Sequence, residues 1–235
     1  MKQLKLILLA LMAIPGIIVN AQNNQVKPAM LGSKISDFTL PVYQGGQFSM
    51  QDLRGKNVLF IVSRGQYAPS KWCTICLYQY AEFAQLELTQ KIREKYNLEI
   101  VFLMPYNKDT LKIWEKEFPS QMATVEKWKN PGNVDSLTRK QKDWMEFTRA
   151  NYPTSFDFKG KKVPLPLPVL ADENQEVSKG LDLYREEWNG SKAIQDIPAA
   201  IIIDKDGIVR FKYISQNTMD RPTSAYLLNY IEKML

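Results

Sequence analysis

The chain has 235 residues, 45% of them hydrophobic, with a formal net charge of +6, two cysteines and no histidine. That length supports one sizeable core, so one domain with elaborations is the default, and the mild positive surplus shows no dense basic run interleaved with aromatics, which argues against nucleic acid as a partner. Without histidine there is no Ser-His-Asp or Cys-His catalytic pair and no His-based zinc or copper site, and two cysteines cannot complete a four-ligand structural zinc site.

Met1 to Ala21 reads as a secretory signal: Lys2 and Lys5 give a charged start, and Leu6 to Ala13 is an apolar run too short to span a bilayer comfortably. The mature protein is therefore expected to be exported, to a periplasm or outside the cell, with 22–30 as a flexible leader and 31–235 as the domain. Ile35, Phe38 and Leu40, then Phe48 after Gly45-Gly46, suggest a hairpin ahead of the core. Asn57 to Val62 has no polar alternation, so it should be a central strand buried on both faces. Ser63 to Lys71 is a loop.

A helix follows, with Leu77, Ala81, Ala84, Leu88 and Ile92 as its inward stripe. Glu99 to Met104 is the next buried strand, and Asp109 to Phe118 a helix with Leu111, Trp114 and Phe118 inward. The region 119–165 is the least regular; one helix is expected there, near Val134 to Thr148, before the extended Pro164-Leu-Pro-Leu-Pro168. Val169-Leu170 is a short strand and Glu176 to Leu183 a helix. Ile197 to Ile214 is a hairpin turning at Asp206-Gly207, and Thr223 caps a closing helix.

Both cysteines lie in Trp72-Cys73-Thr74-Ile75-Cys76, between the Val58–Val62 run and the first long helix. Strand, C-x-x-C turn, helix is the setting in which this spacing reads as a redox dithiol. The first helical turn offers unpaired N–H groups and a partial positive charge, which favour a thiolate there. A thiolate attacks disulfides and peroxides.

The flanks extend the pattern: Gly32-Ser-Lys-Ile-Ser-Asp-Phe38, Asp52-Leu-Arg-Gly55, Arg64-Gly65, Trp72-Cys73-x-x-Cys76-x-x-Gln79, Leu170-Ala-Asp-Glu-Asn174 and Ile197-Pro-Ala-Ala-Ile-Ile-Ile-Asp204. At these residues the chain resembles the alkyl hydroperoxide reductase / thiol-specific antioxidant (AhpC/TSA) family of thioredoxin-fold redoxins, over about 30–235 apart from 119–165. The resemblance implies an α/β thioredoxin-like fold, a central mixed sheet flanked by helices, with a helical insertion around 119–165. It also implies two chemistries. Peroxiredoxins carry Pro-x-x-x-Thr/Ser-x-x-Cys, and Pro69-Ser-Lys-Trp-Cys73-Thr-Ile-Cys76 keeps the proline and the last cysteine but places Cys73 at the Thr/Ser position. Peroxiredoxins also use an arginine where Pro198 stands here; thioredoxin-like reductases have a cis-proline there, facing the dithiol. Arg64 is a candidate replacement for the lost charge.

The leading expectation is thus thiol–disulfide exchange. Cys73 is the exposed attacking thiolate, Cys76 resolves the mixed disulfide, Trp72 shields the pair and makes an apolar contact surface, and protein thiols or disulfides are the partners. The alternative is a thiol peroxidase acting on hydroperoxides, with Cys76 peroxidatic and Cys73 resolving. Either needs a thiol electron donor that the sequence does not identify, and neither needs a metal or other cofactor. A non-catalytic binding module with an inert disulfide is the third reading, weakened because so small a closed loop adds little stability. Copper delivery lacks the histidine it would want. Glu82, one and a half turns past Cys76, is either a proton carrier or a solvated acid, and oligomeric state is left open.

Overall fold

In the structure, a computed structural model that describes residues 25–235, Thr39–Pro41 (β1) and Gln47–Ser49 (β2) pair antiparallel as the expected leading hairpin. The signal expected at Met1–Ala21 lies outside the described residues. Of the stretch before the hairpin, Ala29 is buried and Val26 packs on the core. Asn57–Val62 (β3) follows, then a short antiparallel pair, Gln66–Ala68 (β4) and Lys71–Trp72 (β5). Thr74–Gln90 (α1) and Ile92–Lys95 (α2) lead to Leu98–Met104 (β6). Three helices come next, Lys108–Lys116 (α3), Phe118–Lys129 (α4) and Arg139–Asn151 (α5). The rest is Val169–Ala171 (β7), Glu176–Gly180 (α6), Tyr184–Trp188 (β8), Ser191–Asp196 (β9), Ala199–Ile203 (β10), Val209–Ile214 (β11) and Ser224–Met234 (α7).

The main sheet runs β11-β10-β3-β6-β7, with β3, β6 and β7 parallel and β10 antiparallel to both its neighbours. This is the expected mixed sheet with helices about it. The alternation along β3 divides the core. Leu59 and Ile61 join α1 and the aromatics on one face, while Val58, Phe60 and Val62 meet Met50, Val101 and Leu183 on the other. An unbroken apolar run is what burial on both faces requires.

Three expectations shift. Leu88 is exposed and Ile92 opens α2, because Lys91 turns left-handed (φ 49°) and ends α1. Pro119 does not end a helix but sits in the first turn of α4, where proline's missing N–H costs nothing. The predicted helix at 134–148 begins later, at the Thr138–Gln141 capping box. The hairpin of β8 and β9 was not anticipated.

The tight β10–β11 connection is organised by Asp204. Its carboxylate accepts the N–H groups of Asp206 and Ile208, both at 2.9 Å, and the Arg210 Nε at 2.6 Å. Burial works against the charge, but these donors outweigh it and hold the carboxyl below the usual aspartate range. Stability from this group is therefore present above pH ~4 and lost as pH falls through its lowered value. Asp204→Ala should cost about 1–3 kcal/mol at pH 7. Urea unfolding of both proteins should show that gap narrowing in acid.

Candidate active site

Cys73 is the N-cap of α1 and Cys76 its third helical residue, so the spacing sets both sulfurs at the helix N-terminus. β4 and β5 deliver the chain to that point. The Cys73 N–H donates to the Gly65 carbonyl at 2.9 Å, closing the loop over the helix end. Gly65 is left-handed (φ 77°), and a Cβ there would lie 2.4 Å from the Tyr106 ring, so glycine is required on both counts. Tyr106 in turn accepts the Gln66 N–H at 2.7 Å and donates to the Ile194 carbonyl at 2.5 Å.

The two thiols are free, and their Sγ atoms are 2.9 Å apart. Cys73 is 5% exposed and Cys76 2%, so the open Cys73 expected from the sequence is not found. Trp72 offers no contact surface either. It is 1% exposed and packs edge-on against Tyr106 at 5.3 Å. The insertion covers part of this end of α1. α4 docks on the start of α1, where the Thr74 hydroxyl donates to Gln121 Oε1 at 2.5 Å. Tyr152, at the end of α5, and Phe156 stand edge-on against Tyr78, whose hydroxyl accepts the Thr154 N–H.

Positive charge reaches Cys76 from a residue the sequence reading passed over as the approach to the last helix. The Arg221 side chain is 8% exposed, with Nη2 3.8 Å from Cys76 Sγ. Its Nη1 donates to Ser215 Oγ at 2.9 Å and to the Asp220 carbonyl at 2.8 Å, which fixes the guanidinium from the 215–221 loop. The Arg64 backbone N–H also points at Cys76 Sγ, at 3.4 Å. Burial pushes the Cys76 thiol up, but the Cys73 thiol, Arg221 and the Arg64 amide together bring it down to about 6. Cys73 goes the other way: holding its proton toward Cys76, and buried, its thiol is raised well above the ordinary range. These opposite directions favour ionisation at Cys76 over Cys73, whereas the leading expectation placed the thiolate on Cys73.

The other nominated residues fall as follows. The Arg64 side chain reaches onto the β8–β9 hairpin. Its Nε bonds Gln195 Oε1 at 2.9 Å, its Nη2 bonds Ser191 Oγ at 2.6 Å, and its guanidinium carbon lies 5.0 Å from the Trp188 ring centroid. The Arg64 side chain thus hydrogen-bonds the hairpin, while its charge still senses both sulfurs. Pro69 is exposed in the turn between β4 and β5. Pro198 is buried and continues the Ala199–Val62 register toward Ser63, next to Arg64, but its peptide bond is trans; no cis bond occurs among the described residues. The strand enters β10 in register: the Ile197 N–H bonds the Leu183 carbonyl, and the Pro198 carbonyl takes the Ser215 N–H.

Glu82 is half-buried rather than solvated, and burial raises its carboxyl above the usual range. It lines a cavity of about 30 Å³ with Ile75, Gln79, Tyr152, Met219 and Arg221. Such a volume holds about one or two water-sized groups. Met219 also lines a wider apolar groove with Trp144 and Phe147, outside the cavity.

A family model described as AhpC/TSA family matches residues 31–212. No curated protein matches the chain. Among solved structures, the mitochondrial 2-Cys peroxiredoxin of Plasmodium falciparum is similar at 16% identity and a TM-score of 0.53, covering 86% of this chain and 92% of that one. The reduced 2-Cys peroxiredoxin of Plasmodium vivax gives 15% and 0.52, covering 87% and 81%. A mutant of peroxiredoxin 6 of Arenicola marina gives 15% and 0.51, covering 86% and 72%. At such identities these structures bear on the fold.

Proposed function

The chain belongs to the AhpC/TSA family, and from that premise we propose that it is a thiol peroxidase in which Cys76 attacks and Cys73 resolves. The observation that carries this reading is the Arg221 guanidinium beside a Cys76 sulfur whose thiol is lowered to about 6. Near neutral pH such a sulfur is mostly thiolate. It attacks the terminal oxygen of a hydroperoxide; the O–O bond breaks, an S–O bond forms, and the departing alkoxide takes a proton and leaves as the alcohol. Arg221 faces the charge that moves from sulfur to oxygen. Cys73 then attacks the Cys76 sulfenic acid. The S–S bond forms, and hydroxide leaves as water with the Cys73 proton. An external thiol donor returns two electrons and two protons to the disulfide.

Burial favours a small oxidant over a protein disulfide, because sulfurs 2% and 5% exposed leave little room for a second backbone. Thiol–disulfide exchange is the second reading. It is supported by the nearness of the two sulfurs, which suits a Cys73–Cys76 disulfide, and it would need a small or flexible disulfide substrate. Export belongs to the same proposal and rests on the sequence of residues 1–21.

The test separates the cysteines. In Cys76→Ser, peroxide consumption should fall to background. In Cys73→Ser, one equivalent of peroxide should still be consumed, leaving a sulfenic acid that dimedone traps, while turnover stops. Alkylation of the reduced protein at pH 7 should label Cys76 first. Labelling of Cys73 first, with peroxide consumption surviving in Cys76→Ser, would sink the proposal.

A further inference from the structure

Asp172, Ser178 and Asp196 meet in the interior, at 1%, 0% and 0% exposure. The Ser178 hydroxyl oxygen is 2.8 Å from Asp172 Oδ2 and 3.0 Å from Asp196 Oδ2. A hydroxyl has one proton and can donate to one of them only. The other contact needs a proton from the carboxyl side. Asp172 is already supplied, since its oxygens also take the Ser178 N–H at 2.8 Å and the Val177 N–H at 3.4 Å. Asp196 has no such donor. Its Oδ1 is buried without a hydrogen-bond partner among the described residues, a costly state for an anion and a cheap one for a neutral acid.

Hydrogen counting therefore gives one arrangement: Asp196 donates to Ser178, and Ser178 donates to Asp172. The charged and titratable groups around Asp196 agree. Burial pushes its carboxyl well above the ordinary range and Asp172 adds to this, against the smaller pull of Ser178 and of Arg185 on β8. Tyr184 on β8 and Tyr106 after β6, both also raised, are the other titratable neighbours that sense it.

The cluster is tied to the dithiol through one residue. The Asp196 N–H donates to the Arg64 carbonyl at 3.2 Å, and Gln195, next to it on β9, holds the Arg64 side chain. The Arg64 N–H is one of the donors on Cys76. Resting on the assignment of Cys76 as the thiolate, we propose that Asp196 is a positioning residue kept as an un-ionised carboxylic acid, whose proton ties β9 to α6 and so keeps the Arg64 amide on Cys76. Ionised, it would set two carboxylates against one hydroxyl and push the end of β9 away from α6.

The test uses the whole reduced protein and two readouts. Infrared spectra at pH 7 should show the carbonyl stretch of an un-ionised carboxyl group that disappears in Asp196→Asn; a wild-type spectrum without it would overturn the proposal. Alkylation of Cys76 across pH is the second. Asp196→Asn, which can still donate to Ser178, should keep the wild-type profile, while Asp196→Ala should slow alkylation at pH 6 about fivefold, as loss of a hydrogen bond to a charged sulfur implies. A folded Asp196→Ala protein with an unchanged profile, or an asparagine variant as impaired as alanine, overturns the proposal; if the alanine variant does not fold, the asparagine profile and the infrared band decide it. Should Cys73 prove the first thiol to react, the peroxidase reading falls, and the infrared result still reports on the proton by itself.

Discussion

Exchange of Arg221 for glutamine should raise the Cys76 thiol from about 6 only part of the way to the ordinary cysteine range, because the Cys73 thiol and the Arg64 amide still lower it. The guanidinium lies 3.8 Å from the sulfur and is shut away from solvent, so little screening weakens it. A rise of about 1.5 units would cut the thiolate fraction at pH 7 from roughly nine-tenths to about a quarter, and peroxide consumption with it about fourfold. At pH 9 the variant should recover most of that factor, because its sulfur ionises there unaided. Stopped-flow rates at both values check this; a uniform loss across pH would show that Arg221 only supports the loop. Stability carries the same signature. A lowered thiol stabilises the reduced wild type fully above pH ~8.5, and the benefit is lost as pH falls through about 6. The glutamine variant should show a shallower slope.

Gly65→Ala should have the largest effect on folding. Its φ of 77° alone costs an alanine about 1–2 kcal/mol. The added methyl also meets the Tyr106 ring at 2.4 Å, and that ring cannot yield cheaply. It is packed against Trp72, and its hydroxyl joins Gln66 to Ile194. Moving it opens the loop whose Gly65 carbonyl holds the Cys73 N–H. A total near 3–5 kcal/mol follows, which for a chain of this size lowers the melting temperature by about 6–20 °C. Thermal unfolding by circular dichroism measures it, and a variant that melts within 2 °C of wild type would contradict the clash.

Much of the frame was legible because it rests on local signals. The apolar run of Asn57–Val62 could only be a doubly buried strand, and Asp206-Gly207 between two apolar stretches could only turn. The dithiol was legible from its spacing. What was hidden depends on distant partners. Arg221 stands 145 residues after Cys76, and nothing near it in the chain distinguishes it from an arginine preceding a capped helix. That charge is one of three groups that lower the Cys76 thiol. Arg64 was rightly noticed, yet its side chain serves a hairpin with no strong turn-and-alternation signature, and only its backbone reaches the sulfur. Burial at the start of α1 could not be foreseen because part of the cover comes from 119–165, where one helix was expected and two are docked.

The donors that converge on Cys76 from outside the C-x-x-C motif are a guanidinium and a main-chain amide, and neither gives up its proton within the range where proteins survive. With no imidazole anywhere in the chain, neither of these two donors switches off as surroundings sour. The acid limb of any rate profile then belongs to the sulfur alone, a single protonation centred near pH 6. A catalyst wired this way keeps about half its reactive anion at pH 6, where a histidine-paired thiol would already be losing its base.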